Sequence, residues 1–291
     1  MFNPLTLSTM KRLLIFALTV TALFAAGCTK QAEVRVATFN IRYDASADAT
    51  TGDSWDERKA PVAELILSHD FDIVGTQEGN KRQIADLEAL MPAYDCTGHP
   101  YSDNTGNIHN ATIFYKRDKL ELLDEGTFWY SPTPDVESIG WDATDLRLCH
   151  WGKFRDKSSG KKFYFFNSHL YWRLHEARAN SGKVHIAKVQ QIAGDVPVVS
   201  VGDFNSEEQE VQIQDIRSLL GDAFHLSASA PQGCTDTDLG GGNFIGPAHK
   251  RIDFIFVSPS VEVLDYAVLE DKRPNGHFPS DHLPIVCNIK F

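Results

Sequence analysis

The feature that most constrains this chain is a recurrence. Short apolar, β-branched runs each break off in, or open from, an acid, an amide or an imidazole. Residues 34–39 end at Asn40, 71–76 at Gln77-Glu78, 163–167 at Ser168-His169, and 196–201 at Gly202-Asp203 with Asn205 just beyond. Asp253 opens the run 254–257, and Asp281-His282 precedes 283–289. Runs of this length with Gly, Asp or Pro borders read as buried strands. Between them lie stretches of helical period. In 61–68, Val62, Leu65 and Ile66 share a face and Pro61 suits a first turn. In 81–91, Ile84, Leu87, Leu90 and Met91 do the same, and 174–192 and 207–220 follow. The middle is β-rich, with strands at 111–115, 120–129 and 148–154 and a hairpin turn at 156–162. Helices in both halves and strands throughout predict an α/β sandwich rather than a barrel. In a layered sheet fold such strand ends converge on one edge, where sites form.

The residues at those ends make one chemical set: Asp203, Asp253, Asp281, Glu78, Asn40, Asn205, His169 and His282. Carboxylate and amide oxygens suit a hard cation such as Mg²⁺, whereas zinc would want more His or Cys. Two histidines in an acidic site serve as a general base or as donors to a phosphate oxygen. An Asp beside such a His fixes its tautomer and favours its charged form. Taken singly each residue has a plainer reading: an Asp after a strand is a turn residue, Asn40 a cap, Asp253 a partner for Arg251. The joint pattern is what points to metal-phosphate chemistry.

The first residues stand apart. Lys11-Arg12 precedes an apolar run, 13–26, that ends in Gly27-Cys28, which reads as an export signal. The run is short of the roughly 20 apolar residues a bilayer span needs. A start at Met10 makes the signal more compact. The expectation is residues 1–27 as a signal, 28–33 as a short tether and 34–291 as one domain; the alternative is an ordinary cleaved signal that a Cys happens to follow. About 263 residues follow Cys28, ample for one large α/β core, with no repeat or low-complexity linker. Without the leader's two basic residues the chain carries 26 basic and 39 acidic groups, a net charge near −13. That balance weighs against a long nucleic acid, which usually meets a basic face. Cys96, Cys149, Cys234 and Cys287 match no zinc spacing, and disulfides and buried thiols both stay open.

Six ordered segments carry a resemblance: Thr38-Phe39-Asn40-Ile41-Arg42, Gln77-Glu78-Gly79, Asn167-Ser168-His169-Leu170, Gly202-Asp203-Phe204-Asn205, Arg251-Ile252-Asp253-Phe254-Ile255 and Ser280-Asp281-His282-Leu283-Pro284. From Val34 to Phe291 the chain resembles the endonuclease/exonuclease/phosphatase superfamily, with its DNase I-like nucleases, neutral sphingomyelinases and inositol polyphosphate 5-phosphatases. Gly126-Thr127-Phe128-Trp129 and Gly140-Trp141-Asp142-Ala143 are similar to a secreted bacterial branch of it. The resemblance implies a four-layer αββα sandwich of two packed mixed sheets flanked by helices. It implies Glu78, Asn40 and Asp281 as metal ligands, with Mg²⁺ first and Mn²⁺ or Ca²⁺ as alternatives. It implies Asp203 orienting or deprotonating the attacking water, Asn205 and His169 on the phosphate, and His282 paired with Asp253 as base or phosphate contact.

Two departures stand out. No acid precedes residues 111–115, where Ile108-His109-Asn110 stands, which makes His109 a candidate binding residue. Tyr171-Trp172 follows His169-Leu170, two aromatics that either stack on a sugar or base or pack on the next helix. Arg42 completes the candidate binding residues.

The Ala25-Ala26-Gly27-Cys28 break resembles a bacterial lipoprotein signal, with Ala25 where Leu is usual; it implies acylation of Cys28 and anchoring to a membrane, at the periplasm or cell surface. The expected activity is hydrolysis of a small, glycan- or lipid-linked phosphate ester outside the cytoplasm by a monomer. A secreted nuclease is the alternative, and a non-catalytic surface lipoprotein a third. A glycosidase with paired carboxylates is disfavoured by the Asn- and His-rich site.

Overall fold

In a computed structural model, which describes residues 30–98 and 111–291, strand β1 (Glu33–Asn40) goes from alternating to continuous burial along its length, as a strand does when it enters a sheet covered on both faces. Ala32 is already buried and donates to the Phe291 carbonyl, so ordered pairing starts slightly before residue 34. His109, Cys28 and the leader lie outside the described residues.

Helix α1 (Trp55–Ser68) begins at Ser54, which forms a capping box with Glu57. Pro61 sits in the interior of this helix rather than in its first turn. The predicted start at 61 was late because the capping box, not the proline, sets the N-terminus. β2 (Ile73–Gln77), α2 (Lys81–Leu90) and the edge strand β3 (Tyr94–Gly98) follow. β3 was not foreseen, since Tyr94-Asp-Cys-Thr-Gly lacks an apolar run. Then come β4 (Ala111–Lys116), β5 (Leu120–Trp129), β6 (Leu148–Asp156), β7 (Lys162–His169), α3 (His175–Ala193) and β8 (Val198–Asp203). Helix α4 (Val211–Arg217) is shorter than the 207–220 predicted, because Glu210 turns its carboxylate back to the Glu207 amide and holds those residues in a turn. β9 (Gly221–Asp222), α5 (Ala223–Leu226), β10 (Asp253–Val257), β11 (Glu262–Val263), β12 (Ala267–Val268) and β13 (Ile285–Lys290) complete the described strands and α-helices.

The strands form two mixed sheets. One runs β11-β13-β1-β2-β4-β3, with β12 also on β13; the other runs β5-β6-β7-β8-β10-β9. Val34, Val36, Ile73 and Ile113 of the first face Phe163, Phe165, Val199 and Val201 of the second across a shared core. Val62 and Ile66 of α1 cover the outer side of the first sheet, and Val189 of α3 with Ile213 and Ile216 of α4 cover that of the second. This is the four-layer αββα sandwich expected.

Each sheet holds one parallel pair joined by a helix, β1–α1–β2 and β7–α3–β8. Parallel strands end at the same edge, so Asn40 pairs with Gln77 in one sheet and His169 with Asp203 in the other. β10 runs antiparallel to β8, so its first residue, Asp253, pairs with Asp203. Buried amides lock the two sheets together. Gln77 Nε2 donates to Asn167 Oδ1 at 2.7 Å, and Asn167 Nδ2 donates across the core to the Thr76 and Thr112 carbonyls. At Gly75 the sheets approach so closely that a Cβ would stand 2.6 Å from Val201 Cγ2 and 2.7 Å from the Asn167 amide. The described cysteines Cys96, Cys149, Cys234 and Cys287 are free thiols.

Candidate active site

Asn40 is the joint between the sheets. Fully buried, it donates from Nδ2 to Glu78 Oε1 at 3.1 Å and to Asp203 Oδ2 at 3.0 Å, while Oδ1 accepts the Arg42 amide. Glu78 also accepts the Tyr43 amide at 3.0 Å. Asp203 accepts the Asn205 amide, and Asn205 Nδ2 donates to the Leu170 carbonyl. His169 Nε2 is 3.5 Å from Asp203 Oδ2. His282 Nδ1 is 2.9 Å from Asp253 Oδ2, which also accepts the Thr237 hydroxyl; His282 Nε2 points toward Asp203, 3.9 Å away. Asp281 accepts the Gly242 amide at 2.7 Å and lies 3.5 Å from Arg42. The plain reading of Asp253 fails: Arg251 pairs instead with Glu208 and Asp222, both at 2.8 Å.

Eight of the predicted residues, from Asn40 to His282, therefore converge. They meet around a cavity of about 360 Å³, which Glu78, His169, Asp203, Asn205, Asp281 and His282 help to line. Arg42 also lines it but is committed to Asp48 and Asp281. The two aromatics part company. Trp172 is 55% exposed on the cavity rim, whereas Tyr171 is 1% exposed, its hydroxyl 3.1 Å from Thr144 Oγ1, and does not line the cavity.

Other contributors escaped sequence reasoning. Tyr43, Arg147, Asp238 and Gly241 line the cavity from loops. The run Asp238-Leu239-Gly240-Gly241-Gly242 was the one available signal, since a glycine-rich loop beside an acid often lets backbone approach a ligand. Buried Arg58 of α1 donates to the carbonyls of Ile41, Arg42, Tyr43 and Pro279, clamping the segment after β1 to the one before Asp281. Glu78, Arg42 and Asn205 have φ of 70°, 55° and 48°. Left-handed backbone at non-glycine residues costs about 1–3 kcal/mol each and persists where the surroundings over-determine it, commonly at functional sites.

The electrostatics are those of a site short of positive charge. Burial, and then the charge of Asp281, pushes the Glu78 carboxyl up. Burial, and then Asp253, raises Asp203 to about 7. Burial works against a charged His282, but Asp253, Asp203 and Asp281 outweigh it and hold the imidazole well above its ordinary value. Ligand atoms of Glu78, His169 and Asp203 lie within 4.8 Å of one another, as do those of Asp203, Asp253 and His282. An oxygen-rich set whose carboxylates repel one another is what a divalent cation relieves, so the donors fit such an ion. A third cluster, Glu208, Asp222 and His225, lies outside the cavity and is ion-paired with Arg251 and Arg217.

Two packed mixed sheets flanked by helices, with acids, amides and imidazoles at their shared strand edge, define the DNase I-like class of fold and site. The model of the Endonuclease/Exonuclease/phosphatase family matches residues 37–282, and the chain belongs to that family, whose members are phosphoester hydrolases. Among solved structures, a mannosyl-6-phosphatase from Bacteroides thetaiotaomicron superposes with a TM-score of 0.82 at 34% identity, over 89% of this chain and 100% of that one. A family protein from Bacteroides vulgatus gives 0.81 at 36%, over 89% and 98%. Nocturnin of Drosophila melanogaster is 25% identical over 280 residues, 81% of this chain but 42% of its own length, so the chain spans under half of that curated relative.

Proposed function

We propose that the chain is a divalent-metal-dependent hydrolase of phosphate esters that acts outside the cytoplasm on a small, glycan- or lipid-linked substrate. The observation that carries this reading is the Asn40 amide bridging Glu78 and Asp203 at 3.1 and 3.0 Å, which brings the carboxylates of two sheets to one cavity. Glu78 and Asp281 would hold Mg²⁺, for which Mn²⁺ or Ca²⁺ could substitute; Asn40, expected from the sequence as a third ligand, instead turns its Nδ2 hydrogens to Glu78 and Asp203 and its Oδ1 to the Arg42 amide, so it orients the carboxylates rather than binding the ion. The ion, when bound, would act as a Lewis acid on the phosphate and offset charge in the transition state. Asp203 orients the attacking water and takes its proton; a carboxylate raised toward neutrality suits that task. His282, kept protonated by Asp253, faces the cavity through Nε2 and donates to the phosphate or leaving oxygen. His169 and Asn205 hold non-bridging oxygens, and Trp172 offers an apolar face to the group that carries the phosphate. The mannosyl-6-phosphatase relative supports a phosphorylated glycan. The apolar segment before Cys28 supports export and a lipid anchor, with the chain acting as a monomer at a membrane surface.

A nuclease is the second reading, favoured by the Nocturnin match. The net charge of −11 counts against it. The deciding assay is a panel of phosphate mono- and diesters, DNA and RNA, run with Mg²⁺, Mn²⁺ and Ca²⁺ against EDTA. EDTA-sensitive turnover of small esters is expected, with Glu78→Gln and His282→Ala each lowering it by about 10²-fold or more. Salt-dependent cleavage of nucleic acid alone would favour the nuclease, and no turnover in any arm would leave only a binding protein.

A further inference from the structure

The cavity edge of the second sheet carries an order of charge that the mechanism above leaves unused. β6, β7, β8 and β10 are neighbours in that sheet, and Leu148 pairs with His169, His169 with Asp203, and Asp203 with Asp253. Arg147, one residue before β6, therefore opens a row that runs cation, imidazole, carboxylate, carboxylate across three strand spacings, about 14 Å. Arg147 is buried to 2% exposure yet lines the cavity with His169, Trp172 and Asn205. Its Nη2 meets Asp145 at 3.2 Å, and its guanidinium carbon stands 5.7 Å from the Tyr171 ring. Tyr171, buried and away from the cavity, thus forms the floor beneath a cation rather than a platform for substrate. Arg42, the other guanidinium on the cavity, is held by Asp48 at 3.1 Å and Asp281 at 3.5 Å, on the carboxylate side.

We propose that Arg147 is a specificity-determining residue that selects phosphate monoesters over diesters by meeting the second negative charge of the monoester dianion. This rests on the hydrolase reading and deepens it by naming the substrate class. A monoester whose phosphate lies in the cavity beside His169 has a terminal oxygen where a diester carries its second, uncharged substituent. A buried guanidinium, always charged and shaped as a planar fork, rewards the oxygen. The uncharged substituent of a diester offers that fork no anionic acceptor and gains nothing from it. The row of charge along the strand ends supplies the direction: the end remote from Asp253 is the cationic one, so the extra anionic oxygen lies toward β6.

The test uses the full chain with Mg²⁺ and compares wild type, Arg147→Gln and Arg147→Lys on p-nitrophenyl phosphate and bis-p-nitrophenyl phosphate, alongside calorimetric titration with inorganic phosphate. Arg147→Gln should lower kcat/KM for the monoester about 100-fold and for the diester by less than about fivefold, and weaken phosphate binding about tenfold or more. Arg147→Lys, which keeps the charge and loses the fork, should fall between. Equal losses on the two esters, or unchanged phosphate affinity, would overturn the proposal. Should Arg147→Gln fail to melt cooperatively, the lysine variant decides: a monoester-to-diester ratio equal to wild type refutes it. A wild type inert toward both esters would instead strike the hydrolase reading, and the phosphate titration would still judge Arg147.

Discussion

Asn40 shows why some positions in this site are amides rather than acids. It stands between Glu78 and Asp203 and gives a hydrogen to each. An Asp there would add a carboxylate to two that burial already pushes up. Residues of this kind were legible in the sequence because each ends or opens a strand, and strand ends in a layered fold share an edge. Arg147, Tyr43 and Asp238 were not, because loop residues reach a site through tertiary contacts that periodicity does not encode. His185 of α3 is a buried residue of a different sort: its ring lies 2.9 Å from the Tyr130 hydroxyl and 2.9 Å from Ser200 Oγ, and Tyr130 in turn donates to Ser168, next to His169. Burial lowers His185 to about 3. The unfolded chain takes up the proton near the ordinary histidine value of about 6.5 and the folded chain does not. The stability tied to neutral His185 is therefore fully present above that value and drains away as pH falls toward 3. Between pH 7 and pH 4.5 this amounts to about 2–3 kcal/mol. Urea unfolding of wild type and His185→Gln at both pH values checks it: wild type should lose that much more than the variant. Equal losses would mean that His185 is not held neutral.

Element existence was easier to read than element bounds. The strand at 120–129 is legible from its composition and bordering turns, and the helix predicted over 81–91, which ends one residue earlier at Leu90, from its period. α1 starts before the point Pro61 predicts because the Ser54–Glu57 box sets its N-terminus, and β3 carries no apolar run because an edge strand needs only one buried face. What no period reveals is how closely the two sheets pack. Gly75 of β2 sets that distance, and its absent side chain leaves room for Asn167 and Val201 of the facing sheet. Gly75→Ala places a methyl 2.6 Å from Val201 Cγ2, where neither sheet can retreat without disturbing the Gln77–Asn167 bond, which joins the neighbour of Glu78 to a residue two before His169. Overpacking of this kind costs about 1–3 kcal/mol. The variant should melt at lower temperature and also lose turnover, since parting the sheets lengthens the Asn40 bridge. Thermal melts with ester assays measure both; a variant as stable as wild type would show that the sheets adjust freely.

At the scale of the molecule, the site is where two half-sandwiches meet, each giving the C-terminal ends of one parallel pair. Glu78 comes from the first half, Asp203 and His169 from the second, and Asp281 and His282 from the segment that returns to the first. A ligand that binds this junction ties the halves together, and anything that binds the folded chain alone stabilises it by mass action. The carboxylates give a cation more to do than bridge, because Glu78 is held up by burial and by Asp281, a cost that a divalent charge relieves. Mg²⁺ at 100 times its dissociation constant should add about 2.7 kcal/mol. For a domain of this size that is a rise in Tm of about 5–10 °C, reversed by EDTA. Calorimetric melts of wild type and Glu78→Gln, each with and without Mg²⁺, separate the site from nonspecific ion effects. Glu78→Gln removes the repulsion but turns an amide N–H toward one of the two donors, Asn40 or Tyr43, that the carboxylate accepts, so its own metal-free melt is the baseline, from which it should gain little on adding Mg²⁺. If the glutamine variant gained as much as wild type, the cation would be binding elsewhere, and the assignment of Glu78 as its principal ligand would fall with it.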